Sequence, residues 1–313
     1  MQKSPQRLSF HGSGQKLFSL QIVNILLIIV TLGIYYPWAR AAVLKYTFSE
    51  TDFAGSRFTF HGNGLELFKG MILGLFVLGG AYGLFFYLST VHHPFIGGFL
   101  FFFFMMLFIP FIIHSSMRYR TSRTTWRGIH FGYRGDLKEI MNISAKGTLL
   151  SIVTLGIYGA WFAMELRKYV LGNVRMGNVE FSYNGEGSTF FWMNFKGYFL
   201  TIITFGIYAF WWMKDMYNYY VNNIILAQNG NVVNLKSTVS GGDFFKLMAV
   251  NLLIIIFTLG FGSPWATVRT LNFIFNHVEF LGELDLDGII QTEEDYKNAM
   301  GEDLAGILDV GII

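Results

Sequence analysis

Thr31-Leu32-Gly33-Ile34-Tyr35-Tyr36-Pro37-Trp38 decides how this chain folds. It closes an apolar run, and its pattern recurs. Thr154-Leu155-Gly156-Ile157-Tyr158 is followed by Trp161, Thr204-Phe205-Gly206-Ile207-Tyr208 by Trp211, and Thr258-Leu259-Gly260-Phe261 by Pro264-Trp265. In every copy the Trp stands five residues after the Gly, and thirteen after the Gly comes Tyr46, Tyr169, Tyr219 or Phe273. Spacing kept over four segments reads as internal duplication.

A second motif, apolar-x-aromatic-x-Gly, precedes the apolar runs at Leu8–Gly12, Phe58–Gly62, Phe131–Gly135 and Phe181–Gly185. Period-two alternation ending in Gly predicts a short strand and a turn. The unit is therefore strand, turn, apolar helix, motif, amphipathic helix. Five units are expected. The second replaces its single helix and motif with a two-helix hairpin, between Phe60-His61-Gly62 and Arg118-Tyr119; the fifth has a degenerate strand near 239–241.

Of the 313 residues, 53% are hydrophobic and only 14% charged, with 34 Phe. An ordinary soluble domain has about a quarter charged, so the excess apolar surface points to lipid. Cys is absent and the net charge is +3. That excludes disulfides and thiolate metal sites and gives no reason to expect nucleic acid. The polar first seventeen residues do not read as a cleaved signal peptide.

Runs long enough for membrane helices are 17–38, 68–88, 95–114, 147–166, 190–213 and 244–265. The expected fold is membrane α-helical: a repeat-built polytopic bundle of about six membrane helices, some re-entrant or broken, with short β-strands between repeats. Residues 1–15 form an N-terminal strand and turn, 16–280 the membrane domain, and 281–313 an acidic cytoplasmic tail that caps the basic face. Loop 89–94 has no Lys or Arg, whereas 118–138 carries Arg118, Arg120, Arg123, Arg127, Arg134 and Lys138. The positive-inside rule places the first outside and the second in the cytoplasm. The motif runs either cross the membrane, or turn at Thr-Leu-Gly-Ile-Tyr and return on the same side. Both readings fit the loops.

Thr31, Thr154, Thr204 and Thr258 are expected to satisfy carbonyls where the helix breaks. Gly33, Gly156, Gly206 and Gly260 permit a turn or close packing. Tyr35, Tyr158 and Tyr208, with Trp38, Trp161, Trp211 and Trp265, suit the membrane–water interface. Asn24, Asn251, Ser151 and Thr201 are candidate polar contacts inside the membrane, with an Asn24–Asn251 hydrogen bond one option. Nine before the motif Gly, the outer copies carry these Asn residues, while the inner ones carry Gly147 and Gly197, each after a Lys. His92 and His93 lack further ligands for a metal. No catalytic residue, metal or cofactor is expected.

At the repeated T-[LF]-G-I-Y-x-x-W motif, with F-x-F-x-G strands between helices and Asp285-Leu286-Asp287 in the tail, the chain resembles the YjgN family of bacterial inner-membrane proteins. The resemblance covers nearly the whole chain. It implies a multi-pass protein of the cytoplasmic membrane but supplies no substrate. The last copy departs, with Phe261-Gly262 in place of Ile-Tyr. Expected partners are membrane lipids, and a homo-oligomer is compatible with the pattern. The two functional readings are a transporter-like or lipid-handling protein of unknown substrate, and a non-transporting scaffold that binds a partner or lipid.

Overall fold

The computed structural model describes residues 6–91 and 93–293. The element series strand, helix, helix, strand occurs five times. The first unit is β1 (Leu8–Phe10), α1 (Gly14–Val30), α2 (Tyr36–Glu50) and β2 (Thr51–Phe53). The second is β3 (Ser56–Phe60), α3 (Gly64–Val91), α4 (Pro94–Ser122) and β4 (Thr124–Trp126). The third is β5 (Ile129–Tyr133), α5 (Leu137–Val153), α6 (Gly159–Gly172) and β6 (Val174–Met176). The fourth is β7 (Val179–Tyr183), α7 (Gly187–Ile203), α8 (Ala209–Asn222) and β8 (Ile224–Gln228). The fifth is β9 (Asn231–Ser237), α9 (Gly241–Phe257), α10 (Ser263–Asn276) and β10 (Val278–Leu281).

In each unit the strand entering the helices pairs with the strand leaving them, as in Phe10↔Thr51 and Tyr183↔Ile224. Tight turns join the units. Ala54-Gly55, Arg127-Gly128 and Asn229-Gly230 each have two positive φ angles, the geometry that matches strand twist in two-residue hairpins. The result is one antiparallel ten-stranded meander, ordered β1 to β10 and curled into a nearly closed barrel. The helix hairpins stand on it in a ring, each helix against its chain neighbours and α10 against α1.

This overturns the expected polytopic helical bundle of about six membrane helices, some re-entrant or broken, with short strands between repeats. Among the described residues, only α3 and α4, of 28 and 29 residues with mean hydropathy 2.0 and 2.6, are long and apolar enough to cross a membrane. The runs 17–38, 147–166, 190–213 and 244–265 are not continuous helices: each reverses at its motif turn. The strands are not isolated links between repeats either, because all ten share one sheet.

The sheet encloses its own core. Phe53, Trp126, Met176, Val179, Leu226 and Val233 pack there with Leu284 and Ile289, which come from beyond β10. Trp126 is wholly buried and donates its indole N–H to Ser56 O at 3.1 Å. Burying a Leu or Ile side chain contributes about 1.5–3 kcal/mol, so the segment 282–293 is an integral plug. Side-chain amides hold its backbone. Gln6 Nε2 donates to Leu284 O at 2.6 Å and Gln6 Oε1 accepts from Leu284 N at 2.8 Å. Gln228 grips Asp285 in the same way, at 2.9 and 2.8 Å. Asn178 accepts from Ile290 N and donates to Gly288 O, both at 3.2 Å. Arg134 pairs with the buried Glu293 at 2.7 Å, and Arg127 with the exposed Asp287 at 3.6 Å. The described part of the acidic tail thus meets basic groups at Arg134 and Arg127 and fills the sheet. Glu294, Asp295, Glu302, Asp303, Asp309 and the apolar 305–308 stretch lie outside the described residues, as does His92.

Candidate membrane face and groove

Each motif is a helix-ending turn followed at once by a new helix. Thr31 caps α1: its Oγ1 donates to Leu27 O at 2.7 Å and accepts from Tyr35 N at 3.0 Å. Thr154 and Thr204 repeat both bonds, to Leu150 O and Leu200 O and from Tyr158 N and Tyr208 N. Thr258 Oγ1 accepts from Gly262 N at 2.6 Å. The next residue is left-handed at φ near +50 (Leu32, Leu155, Phe205, Leu259), and the Gly after it lies at +91 to +94. An L residue in that region is disfavoured by about 1–2 kcal/mol, which suits the Gly but not the Leu or Phe. Yet those side chains are 93%, 94%, 97% and 88% exposed. Water penalises the exposed apolar group, whereas a hydrocarbon surrounding would favour it and so help to balance the backbone cost.

The depth of such a surrounding can be read from the charges. The stretch free of charged residues runs over 17–39 in the first unit, 147–164 in the third, 197–213 in the fourth and 247–268 in the fifth. The motif Gly divides each stretch unequally, with 9 to 16 residues before it and 6 to 8 after it, or about 14–24 Å and about 9–12 Å at 1.5 Å per residue. A bilayer core is about 30 Å thick. None of these limbs is as long as that thickness. At 28 and 29 residues, α3 and α4 exceed it.

The candidate polar residues do not converge. Asn24 Nδ2 donates to Ala39 O at 3.5 Å, and Asn251 Nδ2 to Thr270 Oγ1 at 2.9 Å. Each Asn is buried in its own hairpin, and Asn251 also accepts from Arg269 Nε at 3.2 Å. Ser151 returns its hydroxyl to Gly147 O at 2.7 Å, and Thr201 Oγ1 is buried without a hydrogen bond. The Asn and Gly copies differ for a packing reason. Fifteen residues on, Asn24 and Asn251 face Ala39 and Ala266. A side chain at Gly147 or Gly197 would collide with Phe162 or Trp212. The hairpin crossing is filled from one side or the other.

The motif Trp has a partner that sequence reading missed. It lies over the first-turn Gly of the next unit: Trp38 on Gly64, Trp161 on Gly187, Trp211 on Gly241 and Trp265 on Gly14. The Phe four residues after that Gly completes the joint. Trp38–Phe68, Trp161–Phe191, Trp211–Phe245 and Trp265–Phe18 centroids lie 5.1, 5.6, 6.1 and 5.2 Å apart. The last pair closes the ring. Gly-x-x-x-Phe at a fixed place in four units was the available signal. The motif Tyr stacks on its own Trp, as in Tyr35–Trp38 at 6.0 Å. The later Tyr clasps the cap of its own first helix: Tyr169 Oη accepts from Asp136 N at 2.6 Å and donates to Asp136 O at 2.9 Å. Tyr46 and Tyr219 do the same at Ser13 and Glu186. At the strand ends, burial raises the phenol pKa of Tyr133 and Tyr183, so both stay neutral.

Clefts open between the described helices. One of about 520 Å³ lies between α7 and α8, lined by Trp192, Lys196, Tyr208, Trp212, Asp215 and Tyr219 among others. An apolar one of about 300 Å³ lies among α8, α9 and α10, and one of about 330 Å³ between α3 and α4.

Residues 5–183 and 212–307 match the model of a family described as "Bacterial protein of unknown function (DUF898)". The chain belongs to the DUF898 family. Curated DUF898-like relatives agree with the resemblance read from the motifs. The inner membrane protein YjgN of Escherichia coli O157:H7 is 28% identical over 149 residues, which is 47% of this chain and 36% of that protein. YjgN of Salmonella typhimurium is 28% identical over 133 residues, 42% of this chain and 32% of the relative. The matched part thus spans about a third of these relatives' own length. No solved structure matches this DUF898 chain.

Proposed function

We propose that this chain is a bacterial inner-membrane protein that handles lipid within one leaflet, without catalysis. In this reading α3 and α4 cross the bilayer, and the other four hairpins enter from the sheet side and stop near its middle. The five units are copies of one ancestral segment, the second extended to span. The short charge-free reach of the four hairpins, tipped by Leu32, Leu155, Phe205 and Leu259, carries the proposal. The names of the YjgN relatives support the location. By the positive-inside rule, the basic segment 118–138 supports a cytoplasmic sheet in this reading. A transport path through both leaflets has less support, because four hairpins of five end halfway. A scaffold that only binds a partner leaves the cleft between α7 and α8 without a role.

The chain has no Cys, so single-Cys variants test the arrangement directly. Leu155→Cys should resist a membrane-impermeant maleimide from both sides of sealed vesicles and react only after solubilisation. Val232→Cys, on the exposed face of β9, should react only in inside-out vesicles. Labelling of Leu155→Cys from the periplasmic side would show that the hairpin crosses, and the proposal would fail.

A further inference from the structure

The inner units carry a charge pattern that the tip geometry leaves unused. Ten residues before the motif Gly stands Lys146 or Lys196, and nine after it stands Glu165 or Asp215. The outer units have Val23 with Ala42 and Val250 with Arg269 at these places. In the third unit the acid is engaged, Glu165 Oε1 accepting from Tyr158 Oη at 2.9 Å. In the fourth the two charges line opposite walls of the 520 Å³ groove. Lys196 is exposed and has no acidic partner among the described residues. Asp215 pairs only with its neighbour Lys214, at 2.5 Å. Trp212 lines the same groove, and its indole Nε1 is buried with no hydrogen bond, a donor that normally finds a partner. Trp192, 64% exposed, and Tyr208 add aromatic faces. The floor is already committed: Tyr219 clasps Glu186, and Asn222 accepts from Ser237 N at 2.6 Å.

We propose that the groove between α7 and α8 binds the headgroup of a zwitterionic phospholipid. Lys196 and the Trp212 N–H take the phosphate, and Asp215 with the aromatic faces takes the ammonium. Charge-assisted bonds to a phosphate and a cation held over an aromatic ring are both favourable at a partly dry surface. Both charges sit at the edge of the charge-free limb, at the level of lipid headgroups in the reading given above. The inference rests on that reading, because it needs the hairpin in a leaflet.

Native mass spectrometry of the delipidated full chain tests it, with dioleoylphosphatidylethanolamine or dioleoylphosphatidylglycerol added at equal ratio. The zwitterionic lipid should bind in preference. Asp215→Asn should abolish the preference, and Lys196→Gln should weaken both lipids by about tenfold, as expected for one lost charge-assisted bond. Neither side chain is buried, and an unchanged unfolding temperature would confirm that both variants fold. Equal or tighter binding of the glycerol lipid to the unaltered chain, or no response to either substitution, would overturn the groove. Protection of Leu155→Cys would then still stand, so the two failures are distinguishable.

Discussion

A methyl group added at Gly187 would lie 2.6 Å from Trp161 Cα, a backbone atom that the side chains around it cannot move aside. Overpacking of this kind costs about 1–3 kcal/mol. Gly187→Ala should therefore lower the thermal unfolding temperature of the purified chain. Gly172→Ala, where an added Cβ meets open space, should leave it unchanged or raise it. The motif Trp was visible in the sequence as an interface aromatic. Its use as a joint was not, because Trp161 and Gly187 belong to different units and nothing in either motif names the other. The Thr was more transparent. A hydroxyl three or four residues past helical carbonyls has few other tasks where a helix stops, and Thr31, Thr154, Thr204 and Thr258 all perform it.

At the scale of the element, hydropathy misjudged four helix pairs for a definite reason. A window across 190–213 averages an outgoing and a returning limb, and their sum has the length of one crossing helix. Only the turn separates the cases, and its marks were Thr, Gly and the following Pro or aromatic. Charge position then bounds the apolar part: Lys196 and Lys214 bracket it in the fourth hairpin. A charge at its tip should be costly in lipid and nowhere else. Phe205→Arg is expected to destabilise the chain in nanodiscs by about 2.5–3.5 kcal/mol, the cost of an Arg at membrane depth. Val232→Arg, also at an exposed position but on β9, should have little effect, and similar losses from both would argue against embedded tips. The strands were legible as strands, since Phe58-Thr59-Phe60 and Phe181-Ser182-Tyr183 alternate cleanly. Their union in one sheet was not, because pairing partners lie across whole helix hairpins.

The whole molecule depends on a segment whose composition disguised it. Between Glu283 and Glu293 the chain reads as an acidic, solvated stretch, yet Leu284 and Ile289 complete the sheet core. The contacts that seat it run from amide side chains to backbone, which impose no pattern on the plug's own residues. Gln228 is 2% exposed, and its loss would leave both polar backbone groups of Asp285 without these partners. Gln228→Ala is expected to cost about 1–3 kcal/mol. Faster amide exchange at Asp285 and Leu284 would locate the loss in the plug, whereas faster exchange confined to the helices would contradict it.

The direction of the tryptophan joints bears on how the chain assembles as it leaves the ribosome. Trp38, Trp161 and Trp211 each wait for a glycine that is translated next, so these contacts form between segments about 26 to 30 residues apart, and early docking carries a small loop-closure penalty. Trp265 instead meets Gly14, made some 250 residues before. The barrel core likewise stays incomplete until Leu284 and Ile289 emerge. Until then the nascent chain is an open arc with two exposed strand edges, β1 and its newest strand, the state in which a wrong pairing between neighbouring chains is most accessible.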